Sequence, residues 1–395
     1  MIMFNMTFKF GFGLKTWIRS VRIGLVCLLL SSCTLLGIGA EQRIFLTVNL
    51  SLLDTYEIPP QIFENTRFGG ISALTYDRQA DRIYALSDEH SSGIAPHFYT
   101  LRLDQTPETD PPQLETIALE SVTFFTTPDG EIWDSQRFDP EGLALTPQGT
   151  LWLASEGIQA KDIPPALVEF DRETGRQLQE LTVPNGFKVT IDPDTRRQQQ
   201  GVQSNLGFES LTLSPIKTIP GEPLRLFTVN EAPLLQDLDL SVAEEGGRLR
   251  LLHYDLTPGN PLLLSEHLYP LETVPLAVLN GLSELLTLDG TGHFLTLERS
   301  LTPFGFQVQL FQAAIAGATD ISGIPALKGD LPNVNRVQKQ LVLNVNNLDI
   351  PIRNLEGMTW GPQLADGSQT ILLVSDNNFE AEPTQFLWFR LEVSP

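Results

Sequence analysis

Short apolar runs dominate the chain from about Arg43 onward, and they alternate with polar turn residues. The runs are rich in β-branched and aromatic residues, and glycine, proline, aspartate and asparagine separate them. Apolar positions at the spacing of a long amphipathic helix are hard to find. The pattern therefore predicts an all-β protein.

One two-strand pattern recurs along the chain. Its clearest copy is FDPEGLALTPQGTLWLASEG, at 138–157, and further copies begin at Gly69, Gly207, Gly281 and Asn354. Each copy starts with a polar residue, continues through an apolar strand and a turn, and ends its second strand in an acid. The polar residues are Ser72, Glu141, Glu209, Ser283 and Glu356, and the acids are Asp88, Glu156, Glu231, Glu298 and Asp376.

The copies recur at a nearly constant interval. Successive polar residues are 69, 68, 74 and 73 positions apart, and successive acids are 68, 75, 67 and 78 apart. A fixed period is typical of repeat architectures. Units made mostly of strand indicate a β-propeller, because radial repetition leaves only short, protected sheet edges. Five copies are visible and the interval 299–353 has room for a degenerate sixth, so we predict a β-propeller with five or six blades.

The repeated acids are expected to converge at one mouth of the propeller channel, because equivalent positions of the blades lie at equal depth around one axis. Carboxylates brought together raise one another's pKa values unless a cation neutralises them. Oxygen ligands without cysteine and with few histidines suit Ca²⁺ or Mg²⁺ better than zinc or copper. The alternative is that each acid caps a turn. For Glu141, Glu209 and Glu356 the ligand interpretation is favoured, since a turn cap is not expected inside a strand-forming run.

Three arginines precede copies of the pattern, namely Arg67, Arg137 and Arg353. Beside the acids, a guanidinium could bind a phosphate or carboxylate bidentately. Structural salt bridges to the same acids are the alternative. The motifs of α/β-hydrolase serine enzymes, P-loop proteins and zinc proteases are absent from the sequence.

The N-terminal segment differs from the rest in charge and hydropathy. Residues 1–32 carry four basic residues and no acid, and the apolar run IGLVCLLL is followed by small residues. This pattern is typical of an export signal, and the run is too short to span a bilayer. The ending LSSC resembles a bacterial lipobox and predicts a lipid anchor on Cys33; an ordinary signal peptide is the alternative. The predicted organisation is a signal peptide at 1–32, a tether at 33–43 and a propeller domain at 44–395, held at a membrane in the periplasm or on the outer surface.

Charge and cysteine content exclude several function classes. The net charge is −22, and removal of residues 1–32 leaves 22 basic against 48 acidic residues, or −26. Such a surface repels nucleic acid. The two cysteines are Cys27 and Cys33, so the predicted domain has no disulfide, zinc–thiolate site or cysteine nucleophile. We expect a monomer that meets the membrane only through its lipid and binds a small phosphate ester or another anionic ligand.

Several stretches resemble the bacterial phytase-like domain, also called "esterase-like activity of phytase". They are RFDPEGLAL, SEG, NLGFESLTLSP, NLEGMTWGP and LLVSDNNF, and the resemblance covers about Phe68 to Phe389. Ser210 departs from the family pattern, which usually has a second glycine there. The resemblance implies an exported propeller that acts on phosphate or other esters.

The leading hypothesis is a Ca²⁺-dependent phosphoesterase. Glu141, Glu209 and Glu356 are its candidate catalytic and metal-binding residues, with Asp88, Glu156, Glu231, Glu298 and Asp376 as further metal ligands. Arg67, Arg137 and Arg353 would bind the substrate. The alternative is a non-catalytic envelope lipoprotein whose propeller face binds a ligand or partner, because propellers host many functions. An esterase for carboxyl esters ranks last, since no nucleophile is recognisable.

Overall fold

The structure is a computed structural model, and it describes residues 44–87, 93–106, 111–214, 223–239 and 246–394. The predicted signal peptide, tether and lipidated Cys33 lie outside these residues, as does Asp88. No α-helix occurs in the described part of the chain, where helical residues form only short 3₁₀ turns. None of those turns has the length and hydropathy of a membrane span.

The strands follow the apolar runs of the sequence. In chain order they are β1 (Thr47–Ile58), β2 (Gln61–Phe63), β3 (Thr66–Phe68), β4 (Ile71–Asp77), β5 (Arg82–Ser87), β6 (His97–Thr106), β7 (Gln113–Phe124), β8 (Pro140–Leu145), β9 (Thr150–Ser155), β10 (Ala166–Asp171), β11 (Gln177–Glu180), β12 (Thr190–Ile191), β13 (Gln198–Gln200), β14 (Phe208–Leu213), β15 (Arg225–Asn230), β16 (Gly247–Asp255), β17 (Leu262–Leu271), β18 (Leu279–Thr287), β19 (His293–Thr302), β20 (Gly305–Ala314), β21 (Gln338–Asn344), β22 (Leu355–Trp360), β23 (Gln369–Ser375) and β24 (Thr384–Ser394).

Twenty of these strands form five four-stranded antiparallel sheets, which are the blades of a β-propeller. From the axis outward, blade 1 is β4-β5-β6-β7, blade 2 is β8-β9-β10-β11, blade 3 is β14-β15-β16-β17, blade 4 is β18-β19-β20-β21 and blade 5 is β22-β23-β24-β1. The innermost strands contact one another in the closed order β4, β8, β14, β18, β22 and back to β4. The prediction of a propeller is confirmed, with five blades among the described residues.

The hydrophobic core is divided among the five interfaces between neighbouring blades. One cluster joins blades 5 and 1, where Trp388 and Phe386 pack with Ile71 and Tyr99. Comparable clusters lie between blades 4 and 5, 2 and 3, 1 and 2, and 3 and 4. Because each blade buries both faces, the strands read as continuous apolar runs rather than as strictly alternating ones.

The interval 299–353, which has room for a sixth blade, contains the end of β19, strands β20 and β21, and an irregular segment at 315–337. Ile321 and Leu327 of that segment pack on Leu268 of blade 3. The guanidinium of Arg250 donates a hydrogen bond to the Ile324 carbonyl and also pairs with the buried carboxylate of Asp237. The extra length of this repeat therefore covers blade 3 and adds no sheet.

The ring closes through strands from the two ends of the described chain. Strand β1 pairs with β24 from Thr47 opposite Ser394 to Ile58 opposite Thr384, and so completes blade 5 from outside. Without β1, the edge of β24 would be unpaired and open to association.

We therefore expect a chain that begins at residue 59 to melt at a lower temperature and to aggregate more than a chain that begins at residue 44, which keeps all five blades. Thermal unfolding followed by circular dichroism, with size-exclusion chromatography, measures both effects. Equal melting temperatures for the two chains would show that β1 does not hold the ring together.

Candidate metal centre

A β-bulge occurs at the same place in the innermost strand of every blade. In blade 2, Pro140 pairs with Ser155 and Gly142 pairs with Ala154, so Glu141 is the extra, unpaired residue. The same irregularity leaves four further residues without a cross-strand partner, namely Ser72, Glu209, Ser283 and Glu356. A bulge re-aims a side chain relative to the regular alternation of a strand. It explains how a carboxylate can stand inside an otherwise apolar run.

Close approach of the inner strands is possible because a glycine follows Glu141. A β-carbon on Gly142 would lie 2.8 Å from the carbonyl oxygen of Glu209 and 2.9 Å from the β-carbon of Leu211. The inner strands of blades 2 and 3 could not hold this spacing with a larger residue. The Asp-Pro-Glu-Gly stretch thus sets the distance between Glu141 and Glu209 as well as supplying one of them.

Five carboxylates form a continuous cluster at this end of the channel. Oxygens of Asp139, Glu141 and Glu156 lie within 4.8 Å of one another, and so do oxygens of Glu156, Glu209 and Glu231. Glu156 belongs to both groups. The five residues are only 2–8% exposed. This set, called the carboxylate cluster below, joins residues from blades 2 and 3.

Glu156 lies at the centre of the carboxylate cluster and is held on one side only. Its Oε1 accepts a hydrogen bond of 2.7 Å from the amide of Gly207. A β-carbon on Gly207 would lie 2.6 Å from the α-carbon of Glu156, so this contact depends on glycine. No N–H or O–H group of the described residues donates to the buried Oε2 of Glu156. That oxygen is left for a shared proton or a cation.

Burial and mutual repulsion raise the pKa values of the central carboxyls. Burial is the largest cause of the high pKa of Glu156, and the charges of Glu231 and Asp139 add to it. Burial also raises the pKa of Glu209 well above its usual value, followed by repulsion from Glu231 and Glu156. The carboxyls of Glu156 and Glu209 lie within hydrogen-bonding reach of each other. Without a cation, a proton shared by such a pair relieves the repulsion.

Arg299 supplies the positive charge at this channel mouth. It donates hydrogen bonds of 2.7 Å to Glu231 Oε1 and to Asn354 Oδ1, and it also pairs with Glu356 Oε1. Asn354 donates a further hydrogen bond of 2.8 Å to the same oxygen of Glu356. Arg299 and its partners therefore link blades 3, 4 and 5 on the side of Glu231.

In blade 4, the strand pairing aligns a different residue with the acids of the other blades than the sequence pattern does. Leu282 pairs with Glu298 as Pro140 pairs with Ser155, so the counterpart of Glu156 is Arg299 rather than Glu298. Glu298 accepts hydrogen bonds from the Tyr269 hydroxyl and from Lys339, away from the carboxylate cluster. Neighbouring residues of a strand point to opposite faces of the sheet. Glu298 precedes the position that corresponds to Glu156 by one residue, so its side chain lies outside the group of acids that was predicted to converge.

The remaining predicted acids occupy distinct places. Glu356 is buried beside Arg299, and the charge of Asp376 contributes to the rise of its pKa. Asp376 is itself buried after β23 and accepts a hydrogen bond from the amide of Asn378. Asp88 lies outside the described residues. The metal-binding and catalytic roles assigned to these acids from sequence stay predictions.

Two of the three predicted arginines bind partners outside the carboxylate cluster. Arg67 donates a hydrogen bond to the carbonyl of Glu380, and Arg353 pairs with Glu57 and Glu382. Arg137 is exposed, two positions before Asp139. Their role in substrate binding stays a prediction.

Sequence reasoning missed three residues of this region. Asp139 stands inside the Asp-Pro-Glu-Gly stretch, which was a usable signal. Arg299 was hidden because a glutamate precedes it where an acid was expected. Glu284 follows the bulge of blade 4 and accepts hydrogen bonds from the amides of Leu211 and Leu285, while burial raises its pKa well above the usual value. Through these hydrogen bonds, Glu284 connects the inner strands of blades 3 and 4.

A cavity of about 620 Å³ lies at the other end of the inner strands. Its lining includes Leu74, Leu143, Leu211, Leu285 and Met358, each two positions beyond a bulge. None of the five clustered carboxylates lines it. Size alone would favour this cavity as a ligand site, but the convergent charged groups lie at the opposite mouth, and they define the candidate site.

The carboxylate cluster could hold a hard cation. Its oxygens are all carboxylate oxygens, which Ca²⁺ and Mg²⁺ prefer as ligands. Burial makes their charge costly unless a cation or proton offsets it. The fold and the cluster thus define a five-bladed propeller with a group of buried acids that could bind a divalent metal.

The chain belongs to the phytase-like family, described as "Esterase-like activity of phytase", whose family model matches residues 66–379. The resemblance noted in the sequence is thereby confirmed. Ser210, where the family usually has glycine, is fully buried and its hydroxyl accepts a hydrogen bond from the amide of Val229.

Solved structures match the chain at low identity and with low TM-scores. The catalytic domain of the Coprinopsis cinerea GH62 α-L-arabinofuranosidase is 12% identical, with a TM-score of 0.43, and the match covers 88% of this chain and 96% of that one. A glycosyl hydrolase from Bacteroides ovatus is 13% identical, with a TM-score of 0.41, and the match covers 86% and 94%. No curated protein matches the chain in sequence.

The buried carboxyl of Glu356 is expected to make metal-free stability depend on pH. Burial, the largest cause, raises its pKa from 4.5 to about 8. Arg299 opposes the rise but is shared with Glu231. Because the folded pKa is the higher one, this contribution to stability is complete below pH 4.5 and is lost as the pH rises through 8. One such group changes the free energy of unfolding by about 1.4 kcal/mol per pH unit within that window.

Glu356→Gln cannot titrate, so its free energy of unfolding should fall less between pH 5 and 8 than that of the wild type. Urea unfolding in EDTA measures the difference. Glu131→Gln, at an exposed position, should follow the wild type. Parallel curves for Glu356→Gln and the wild type would contradict a raised pKa at this residue.

Proposed function

We propose that the protein is a divalent-metal-dependent ester hydrolase that acts on phosphate esters, with Ca²⁺ as its metal. One observation carries the proposal: Glu156 joins two groups of converging carboxylates and directs an oxygen into them to which no described donor binds. The family description adds the class of reaction.

The residues at this channel mouth fit such an ion. Asp139, Glu141 and Glu156 would hold it, because oxygens of these three residues lie within 4.8 Å of one another, whereas Arg299 binds Glu231 and Glu356. A bound divalent cation would polarise a phosphoryl oxygen and lower the pKa of a bound water.

The protein's own residues would move the proton and orient the substrate. Glu209 lies beside Glu156 in the carboxylate cluster and would accept a proton as general base during hydrolysis. Arg299 and Asn354 donate hydrogen bonds to the carboxylate of Glu356 and hold it in position. Exposed Arg137 stands two residues before Asp139 and would bind a phosphate at the same end of blade 2.

A second candidate function is a non-catalytic propeller that binds a ligand or partner. The low exposure of the carboxylate cluster, at 2–8%, favours this alternative, because an ion buried to that degree can stabilise a fold without meeting a substrate.

Hydrolysis of phytate and p-nitrophenyl phosphate, with and without EDTA, tests the proposal. We expect activity that EDTA removes and Ca²⁺ restores. Glu156→Gln should lower kcat/KM by about 100-fold or more, the typical scale for a positioned catalytic group. Glu131→Gln is the control at an exposed site. A melting temperature that rises with Ca²⁺ in the absence of any turnover would favour the binding protein, and neither effect would sink both metal-based functions.

We also propose that the domain is held at a bacterial membrane through a lipid on Cys33. The support is the LSSC ending after the apolar run. In a bacterial host, the wild type should incorporate labelled palmitate and sediment with membranes, whereas Cys33→Ser should do neither. Unlabelled wild-type protein in the soluble fraction would contradict the anchor.

A further inference from the structure

Arg299 stands where other blades carry a carboxylate. Blades 2, 3 and 5 follow their second strand with Glu156, Glu231 and Asp376, and the pairing of β18 with β19 aligns Arg299 with them. All three acids are buried. One blade in this ring has therefore exchanged an anion for a fixed cation.

The contacts of Arg299 are those expected of a bound cation. Three oxygen acceptors surround its guanidinium, namely Glu231 Oε1, Glu356 Oε1 and Asn354 Oδ1. Its side chain is 13% exposed. Burial lowers its pKa, but the charges of Glu356, Glu231 and Glu209 outweigh this effect and raise the pKa above the usual arginine value, so the guanidinium stays charged.

Arg299 divides the acids of the channel mouth into two groups. Glu231 and Glu356 are its ion-pair partners. Asp139, Glu141 and Glu156 lie together on blade 2, and the unsatisfied Oε2 of Glu156 belongs to this group. Arg299 thus supplies positive charge on one side of Glu231, whereas Glu156 Oε2 on the other side receives no hydrogen bond from a donor among the described residues.

We infer that Arg299 takes the place of a second metal ion, so that the protein holds one divalent cation, on the Glu156 side. This inference rests on the metal site of the proposed function and specifies its stoichiometry. Removal of the guanidinium would leave Glu231 and Glu356 buried without a positive partner. A buried ion pair that loses one member leaves an uncompensated charge, which is strongly unfavourable. A second divalent cation then has two carboxylates and the Asn354 oxygen available to it.

Counting bound calcium tests this inference without reference to activity. Isothermal titration with Ca²⁺ and elemental analysis after gel filtration should give one ion per chain for the wild type and two for Arg299→Gln. Arg299→Lys keeps the charge and should return the count to one. Arg225→Gln is the matched control, because Arg225 at the start of β15 pairs with the carboxylate of Asp255 at the end of β16, and its count should equal that of the wild type.

Two ions in the wild type, or a count for Arg299→Gln no higher than that of the wild type, would overturn the inference. The wild-type count decides the question even if Arg299→Gln does not fold. Failure of the proposed function gives a different result from failure of this inference. A wild type that binds no ion while Arg299→Gln binds one would refute the metal-dependent hydrolase, yet would keep Arg299 as the substitute for a cation.

Discussion

Repulsion among buried carboxylates governs the structure of the acidic channel mouth. Asp139, Glu141, Glu156, Glu209 and Glu231 lie close together and almost out of reach of water, where charges interact more strongly than at the surface. The protein offsets this repulsion in several ways at once. The amide of Gly207 binds Glu156, and Arg299 binds Glu231. The offset is incomplete at Glu156 and Glu209, whose pKa values stay high, and this unmet demand for positive charge identifies the site.

The five bulges occur at equivalent positions of the sequence repeat, so their residues form a ring around the channel. Each bulge interrupts strand pairing at the same position, and the close packing of inner strands then brings residues about 70 positions apart into one site. Apolar clusters between neighbouring blades include residues of these inner strands. The same ring carries Ser72 and Ser283 at two positions, so the acids are concentrated on blades 2, 3 and 5 rather than spread evenly.

Much of this arrangement was predictable from the order of residues. The strand-and-turn pattern predicted the propeller, and the repeated acids predicted a cluster to which Glu141, Glu156, Glu209 and Glu231 do contribute. Glu298 shows the limit of the method. An alignment of the copies by residue type placed Glu298 among the converging acids. The strand register instead gives that position to Arg299, and Glu298 contacts Lys339 and Tyr269. Sequence similarity between copies does not resolve a shift of one residue, and in a strand that shift changes the face.

The sequence by itself determined the all-β class, the repeat and the acidic character of the clustered side chains, because these depend on residue type and local spacing. Only the tertiary structure decided which acids meet. The joining of two groups through Glu156, the pairing of Arg299 with Glu231 and Glu356, and the placement of Glu284 across blades 3 and 4 all depend on contacts between blades. Those contacts arise from the bulges and from the inter-strand distances that Gly142 and Gly207 permit. Distances between blades are set by packing around the whole ring, and no single repeat contains that information.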